Sequence, residues 1–292
     1  MTASAHPIVV GVDGSQHSTA ALAYAAQEAR IRRQDVVLVH AWDVEPLWNA
    51  VSVVPQAHLE AAQGAVLQEA ADRMASMAPD VATGTRLVKG RADTALIEAS
   101  HTASVVVVGR HGGTSAWLGP VVGHVATRAH CPVVAVPTGS PSGRDRVVVG
   151  VDGSPVTDEA IGYAYDQAAR WGAPLVAVLA VTPGIDGYVP NPDMLREAQQ
   201  RGERFLAEAL AGWCDKYPEV AVSQQVTYGP PLPALKEAAQ DAGLVVVGSH
   251  GRGAVLRFAL GSVSSSLLRS APCPVAVVRP AGHHDEAARR RA

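Results

Sequence analysis

Val10-Gly11-Val12-Asp13-Gly14-Ser15 returns 139 residues later as Val149-Gly150-Val151-Asp152-Gly153-Ser154. Val106-Val107-Val108-Gly109 returns at the same offset as Val245-Val246-Val247-Gly248, and Cys131-Pro132-Val133 returns as Cys273-Pro274-Val275 at an offset of 142. The first copy is therefore three residues shorter between Gly109 and Cys131. The period is too long for a solenoid, so each copy is a domain. A chain of 292 residues has room for two domains of about 100–150 residues. Pro137-Thr138-Gly139-Ser140-Pro141-Ser142-Gly143-Arg144-Asp145-Arg146 is rich in turn formers and poor in apolar residues, as a linker is. The expected division is domain 1 at 1–138, a linker at 139–145, domain 2 at 146–280 and a disordered tail at 281–292.

Short β-branched runs alternate with helical patterns in both copies. Strands are expected at 8–12, 36–40, 85–88, 105–109 and 133–136, and again at 147–151, 175–180, 220–227, 244–248 and 275–278. Runs apolar on both faces suit a parallel sheet covered by helices. A helix is expected at 19–33 with Ser18 as its N-cap, and another opening at Asn191-Pro192. In that second helix Leu195, Ala198, Gly202, Phe205, Ala209 and Trp213 draw one apolar stripe, with Leu59, Ala62, Val66, Ala70 and Met74 as the counterpart in copy 1. Strand-helix alternation with right-handed crossovers gives the α/β class. The expected architecture is two tandem Rossmann-like domains, each a doubly wound five-stranded parallel sheet flanked by helices.

Composition narrows the function. The chain is 48% hydrophobic and 17% charged, with a net charge of −3, which argues against a basic face for nucleic acid or an anionic membrane. No run reaches the 18 or so apolar residues of a membrane span, and no signal peptide is visible, so a cytoplasmic protein is expected. Three cysteines, Cys131, Cys214 and Cys273, fit neither a zinc pattern nor a disulfide framework.

In a doubly wound sheet, ligands bind outside the carboxyl ends of the strands, where strand order reverses. Gly11 and Asp13, and Gly150 and Asp152, end the first strand of each copy. The fourth strand of copy 2 runs into Gly248-Ser249-His250-Gly251-Arg252-Gly253, and Gly261-Ser262-Val263-Ser264 then opens a helix. Glycines let a backbone approach a phosphate, successive N–H groups form an anion nest, and a helix N-terminus adds free donors and its dipole. His250, Arg252 and Arg257 add positive charge. The loop histidines His111 and His250 read as turn residues rather than metal ligands. This is neither a Walker A loop nor a dinucleotide fingerprint: none of Lys89, Lys216 and Lys236 follows a glycine, and no G-x-G-x-x-G follows the first strand.

These residues resemble the universal stress protein family, whose ATP-binding members carry Gly-x2-Gly-x9-Gly-(Ser/Thr) after the fourth strand. Gly248, Gly251, Gly261 and Ser262 fit that spacing without a gap. The Val-Asp-Gly-Ser ending of strand 1 and the Cys-Pro-Val run before strand 5 strengthen the likeness, which covers 7–279. The resemblance implies that Asp152 meets the ribose or the metal side of the nucleotide and that backbone near Ala180 meets adenine. Gly248, Gly251, Gly261, Ser262 and Val263 would hold the phosphates. Ser249, His250, Arg252, Gly253, Ser264 and Gly150 complete the candidate set. Gly11, Asp13 and Ala41, with Gly109, Arg110, Gly112, Gly113 and Gly119, are the weaker counterparts in copy 1. There the spacing between the second and third glycines falls from nine to six, and Pro120 replaces the serine. Copy 1 is therefore expected to bind ATP weakly, to bind another anion, or to stay empty.

The expected function is that of an ATP-binding regulator of the stress response, with Mg²⁺ on the phosphates and no efficient catalysis, since no Walker B pair or base accompanies the loop. The alternatives are a slow ATPase or phosphoryl-transfer enzyme, or a member that has lost nucleotide and acts through protein contacts. The resemblance further implies pairing of the two domains within the chain, a homodimer and a regulatory protein partner.

Overall fold

In a computed structural model of the chain, residues 6–43, 56–110, 119–139, 143–181, 191–251 and 260–280 are described. The chain forms two compact units that change over between Gly139 and Ser140.

Unit 1 comprises β1 (Ile8–Gly11), α1 (Gln16–Arg32), β2 (Val36–Trp42), α2 (Gln56–Met77), β3 (Thr83–Lys89), α3 (Ala92–Ala99), β4 (Val105–Arg110), α4 (Pro120–Arg128) and β5 (Val133–Pro137). Its strands run in the order β3-β2-β1-β4-β5, all pairs parallel. Unit 2 repeats this with β6 (Val147–Val151), α5 (Thr157–Trp171), β7 (Leu175–Val181), α6 (Pro192–Lys216), β8 (Val222–Tyr228), α7 (Pro231–Ala238), β9 (Leu244–Gly248), α8 (Ser262–Ser270) and β10 (Val275–Val278), in the order β8-β7-β6-β9-β10. The α/β doubly wound class is as expected. In each unit the order reverses beside the first strand, and that switch point opens a crevice at the strand carboxyl ends.

The central strands are valine runs that pack on both faces: Val105 to Val108 and Leu244 to Val247 are all buried. β-branched side chains are stiff and fit a pleated surface between two helix layers. In unit 1, α1 packs against α2 on one face and α3 against α4 on the other; α5 with α6 and α7 with α8 repeat this in unit 2. Glycine follows the aspartate in both copies because the turn needs it: Gly14 and Gly153 lie at φ +78° and +72°.

Two local expectations are corrected. Helix α1 begins at Gln16, not Thr19, and its N-cap is Ser15, not Ser18. The Ser15 hydroxyl accepts the Ser18 N–H at 3.2 Å, while the Ser18 hydroxyl donates back to the Ser15 carbonyl. In α6 the N-cap is Asn191, as read, its side chain accepting the Met194 N–H at 2.9 Å. Its buried residues, however, are Gly202, Leu206 and Leu210, so of the expected line only Gly202 is buried and the other two lie one residue on from Phe205 and Ala209. Ala198 and Phe205 are only half buried because they border a cleft instead of the sheet. The aromatic end of α6 fixes the helix to α5: Trp213 lies against Gly162 and donates from Nε1 to Asp158 at 2.8 Å.

Cys131, Cys214 and Cys273 form no disulfide with one another. Burial pushes the Cys131 thiol up to about 12, Cys273 is buried, and Cys214 is exposed on α6. Among the described residues no helix is long and apolar enough to cross a membrane.

Candidate functional site

The switch point of unit 2 opens a cavity of about 570 Å³. Gly150 and Asp152 line it from the end of β6, Ala180 from β7, Gly248 from β9 with His250 and Gly251 just beyond, and Gly261, Ser262, Val263 and Ser264 from the start of α8. The structure thus brings these ten sequence candidates to one wall. Ser249 is the exception. It is fully buried, its N–H donates to the Val278 carbonyl at 2.7 Å, and its hydroxyl meets His250 Nδ1 at 2.8 Å, so it belongs to the scaffold. Arg252, Gly253 and Arg257 lie outside the described residues.

The loop is held from both sides. The Gly261 N–H donates to the Ser249 carbonyl at 2.9 Å, the Ser264 hydroxyl to the Gly248 carbonyl at 2.6 Å, and the Ser154 hydroxyl to the His250 carbonyl at 3.3 Å. The Asp152 carboxylate accepts the Ser154 N–H at 2.9 Å and the Thr157 hydroxyl at 2.7 Å through Oδ1. Its Oδ2 points at Gly251, where an added Cβ would sit 2.9 Å away. That glycine keeps the carboxylate and the loop in close approach. The first intrahelical bond of α8 runs from the Ser265 N–H to the Gly261 carbonyl. The N–H groups of Ser262, Val263 and Ser264 therefore have no intrahelical acceptor and carry the positive end of the dipole. An anion is the ligand that this end favours.

Sequence reasoning missed the opposite wall. Helix α6 contributes Ala198, Arg201, Gly202 and Phe205. Three of these read as members of an apolar stripe, and nothing local marks them as facing a cleft. Arg201 is exposed at this wall and supplies its cation. The signal that could have found the wall is the repeat itself, because Gly202 has Gln63 as its counterpart at the common offset of 139.

The equivalent cavity of unit 1 is about 120 Å³. Gly11, Asp13, Ala41 and Gly109 line it, as expected, while Arg110 is buried and does not. Gly112, Gly113 and His111 lie outside the described residues. Gly119 caps α4, and Pro120 stands at its first position. Burial opposes ionisation of Asp13, but hydrogen bonds from Ser15 and Ser18 outweigh it and hold the carboxyl below its ordinary value. The Asp13 carboxylate accepts the Ser15 N–H at 3.0 Å.

Beside this cavity, Asp93 on α3 accepts from Arg91 at 2.7 and 3.1 Å and from His124 Nδ1 of α4 at 2.7 Å. The Arg91 hydrogen bond, with that of His124, outweighs burial and puts the Asp93 carboxyl well below the usual range. A depressed carboxylate stabilises the fold above its unfolded value of about 3.9, and the contribution is lost as pH falls toward the folded value. Asp93→Asn should therefore lower the melting temperature near neutrality, and the gap to wild type should close as pH falls below about 4. A gap constant from pH 7 to pH 2.5 would contradict the pairing. Among the described residues no group of three His, Cys, Asp or Glu is placed to hold a metal ion.

A model of the universal stress protein family matches the chain twice, over residues 5–137 and 143–279. A universal stress protein of Mycolicibacterium smegmatis is 36% identical over 294 residues, 96% of this chain and 99% of that protein. One from Mycobacterium tuberculosis strain H37Rv is 36% identical over 293 residues, covering 94% and 97%. Among solved structures, a universal stress protein of Archaeoglobus fulgidus superposes with a TM-score of 0.70 at 22% identity, over 94% of this chain and 98% of that one, which bears on the fold.

Proposed function

The chain belongs to the universal stress protein family, as two family domains in tandem, and from that premise we propose that unit 2 binds ATP and that the protein is an ATP-dependent regulator in the stress response. One observation carries the reading. A cleft of about 570 Å³ joins the free N–H groups of α8, the glycines Gly248 and Gly251 and the carboxylate of Asp152. The α8 end and its loop suit the phosphates. The Asp152 Oδ2, turned toward Gly251, suits the ribose or the Mg²⁺ that accompanies the phosphates. Ala198, Gly202 and Phe205 of α6 and the backbone at Ala180 suit the base. Unit 1 is read as weak, anion-binding or empty.

The regulator reading includes a cytoplasmic location, a homodimer and a protein partner that responds to occupancy. Turnover is not part of it: the loop carries no Walker A lysine, and no Walker B pair accompanies it. Hydrogen exchange with and without Mg-ATP tests the site: protection is expected over 247–251 and 261–266 and absent over 105–110 and 119–126. Protection spread equally over both units, or none, overturns the assignment. Steady-state phosphate release above about 1 s⁻¹ would overturn the non-enzymatic part.

A further inference from the structure

The two clefts differ at the base end as well as at the phosphate loop. The paired strands keep the same register in both units: His40 of β2 faces Leu87 of β3, and Leu179 of β7 faces Val226 of β8. The helices packed on them carry Gln63 in α2 and Gly202 in α6. In unit 1, His40 is buried and held at both ring nitrogens. Nδ1 lies 2.7 Å from the Val12 carbonyl oxygen and Nε2 lies 2.8 Å from Gln63 Oε1. The pair ties together the end of β1, strand β2 and helix α2. In unit 2, Leu179 offers no hydrogen bond and Gly202 offers no side chain. A Cβ on Gly202 would lie 2.7 Å from Val226 Cγ1 and 3.4 Å from Leu179 Cδ2. The cavities follow: α6 supplies four residues to the wall of the larger one, and among the described residues α2 supplies none to the smaller.

We propose that His40 and Gln63 form a plug that closes the base-binding half of unit 1, and that Gly202 with Leu179 determines which of the two clefts admits a nucleoside. The proposal rests on the nucleotide reading of unit 2. The His40 ring is buried and in polar contact at both nitrogens, so a base could enter only by breaking those contacts. On this account unit 1 is shut to nucleosides even where phosphates are not involved, and its remaining cavity takes nothing larger than a small anion. Specificity between the units then comes from obstruction as well as from attraction.

Calorimetry on the full chain with adenosine and with Mg-ATP decides. Leu179→His/Gly202→Gln/Val226→Leu rebuilds the plug in unit 2 with the neighbour that unit 1 carries, Leu87, so that the side chain at 202 has room. Both ligands should weaken by about tenfold or more while the chain melts cooperatively. Unchanged affinity for both in the folded variant overturns the plug and leaves the nucleotide reading intact. A wild-type chain that binds neither ligand overturns that reading and the plug with it. Should the rebuilt chain fail to fold, His40→Leu/Gln63→Ala gives the answer from unit 1. Adenosine stoichiometry rising from one to two supports the plug, and stoichiometry that stays at one overturns it.

Discussion

Ser262→Pro is expected to weaken Mg-ATP binding by about a hundredfold or more, because two charge-assisted hydrogen bonds to phosphate, each worth about 1.5–3 kcal/mol, disappear together. Proline removes the N–H at the first position of α8 and the hydroxyl beside it. The substitution does this without disturbing the helix. Proline is favoured at a first helical position, where its fixed φ suits the turn and the N–H has no intrahelical acceptor. The preceding residue, Gly261, already has ψ 151°, the extended conformation that proline requires before it. Unit 1 shows the same arrangement tolerated: Pro120 opens α4 after Gly119 at ψ 142°. The melting temperature should therefore stay within about 2–3 °C of wild type, as for most substitutions that leave packing intact. Adenosine affinity should be unaffected, since the change is confined to the phosphate end. Mg-ATP affinity retained in Ser262→Pro would mean that the α8 end is scaffold.

The second large effect concerns a glycine whose match to the family motif is misleading about its role. An added Cβ at Gly109 would lie 2.1 Å from the His17 carbonyl oxygen and 2.8 Å from the Ser18 N–H nitrogen. Those are backbone atoms at the start of α1, and backbone cannot swing aside as a side-chain end can. Gly109→Ala should destabilise unit 1 by about 3 kcal/mol, at the upper end of overpacking costs, and lower its melting transition by roughly 10 °C. At the equivalent Gly248 the neighbour is the side chain of Val156 at 3.2 Å, which adapts, so Gly248→Ala should have the smaller effect on melting. Differential scanning calorimetry reads both. A Gly109→Ala chain that melts like wild type would show that α1 is free to retreat.

That contrast bears on how far the sequence could be read. The parallel sheets were legible because valine runs repeat at one fixed offset, and the switch point followed from the alternation alone. The glycines of the loop were legible because their spacing from Gly248 to Gly261 is intact. The individual contributions were less so. Ser249 and Ser262 are alike in sequence, yet one is tied to Val278 beneath the loop and the other is exposed at the helix end. Helix α1 starts three residues earlier than the sequence suggests because Ser15 and Ser18 both satisfy the cap pattern, and the choice falls to the turn made by Asp13 and Gly14. The α6 wall was hidden for a different reason. Gly202 is required by Val226 and Leu179 of the adjacent strands, contacts that no window along the helix contains. Comparing the copies position by position, with Gln63 against Gly202 and His40 against Leu179, recovers what each copy conceals by itself.

A calorimetric titration of the wild-type protein with Mg-ATP distinguishes one nucleotide site from two in a chain that carries two copies of the fold. Saturation is expected at one ATP per chain, with the second cleft silent over the same concentration range. Two equal sites, or none, would contradict it.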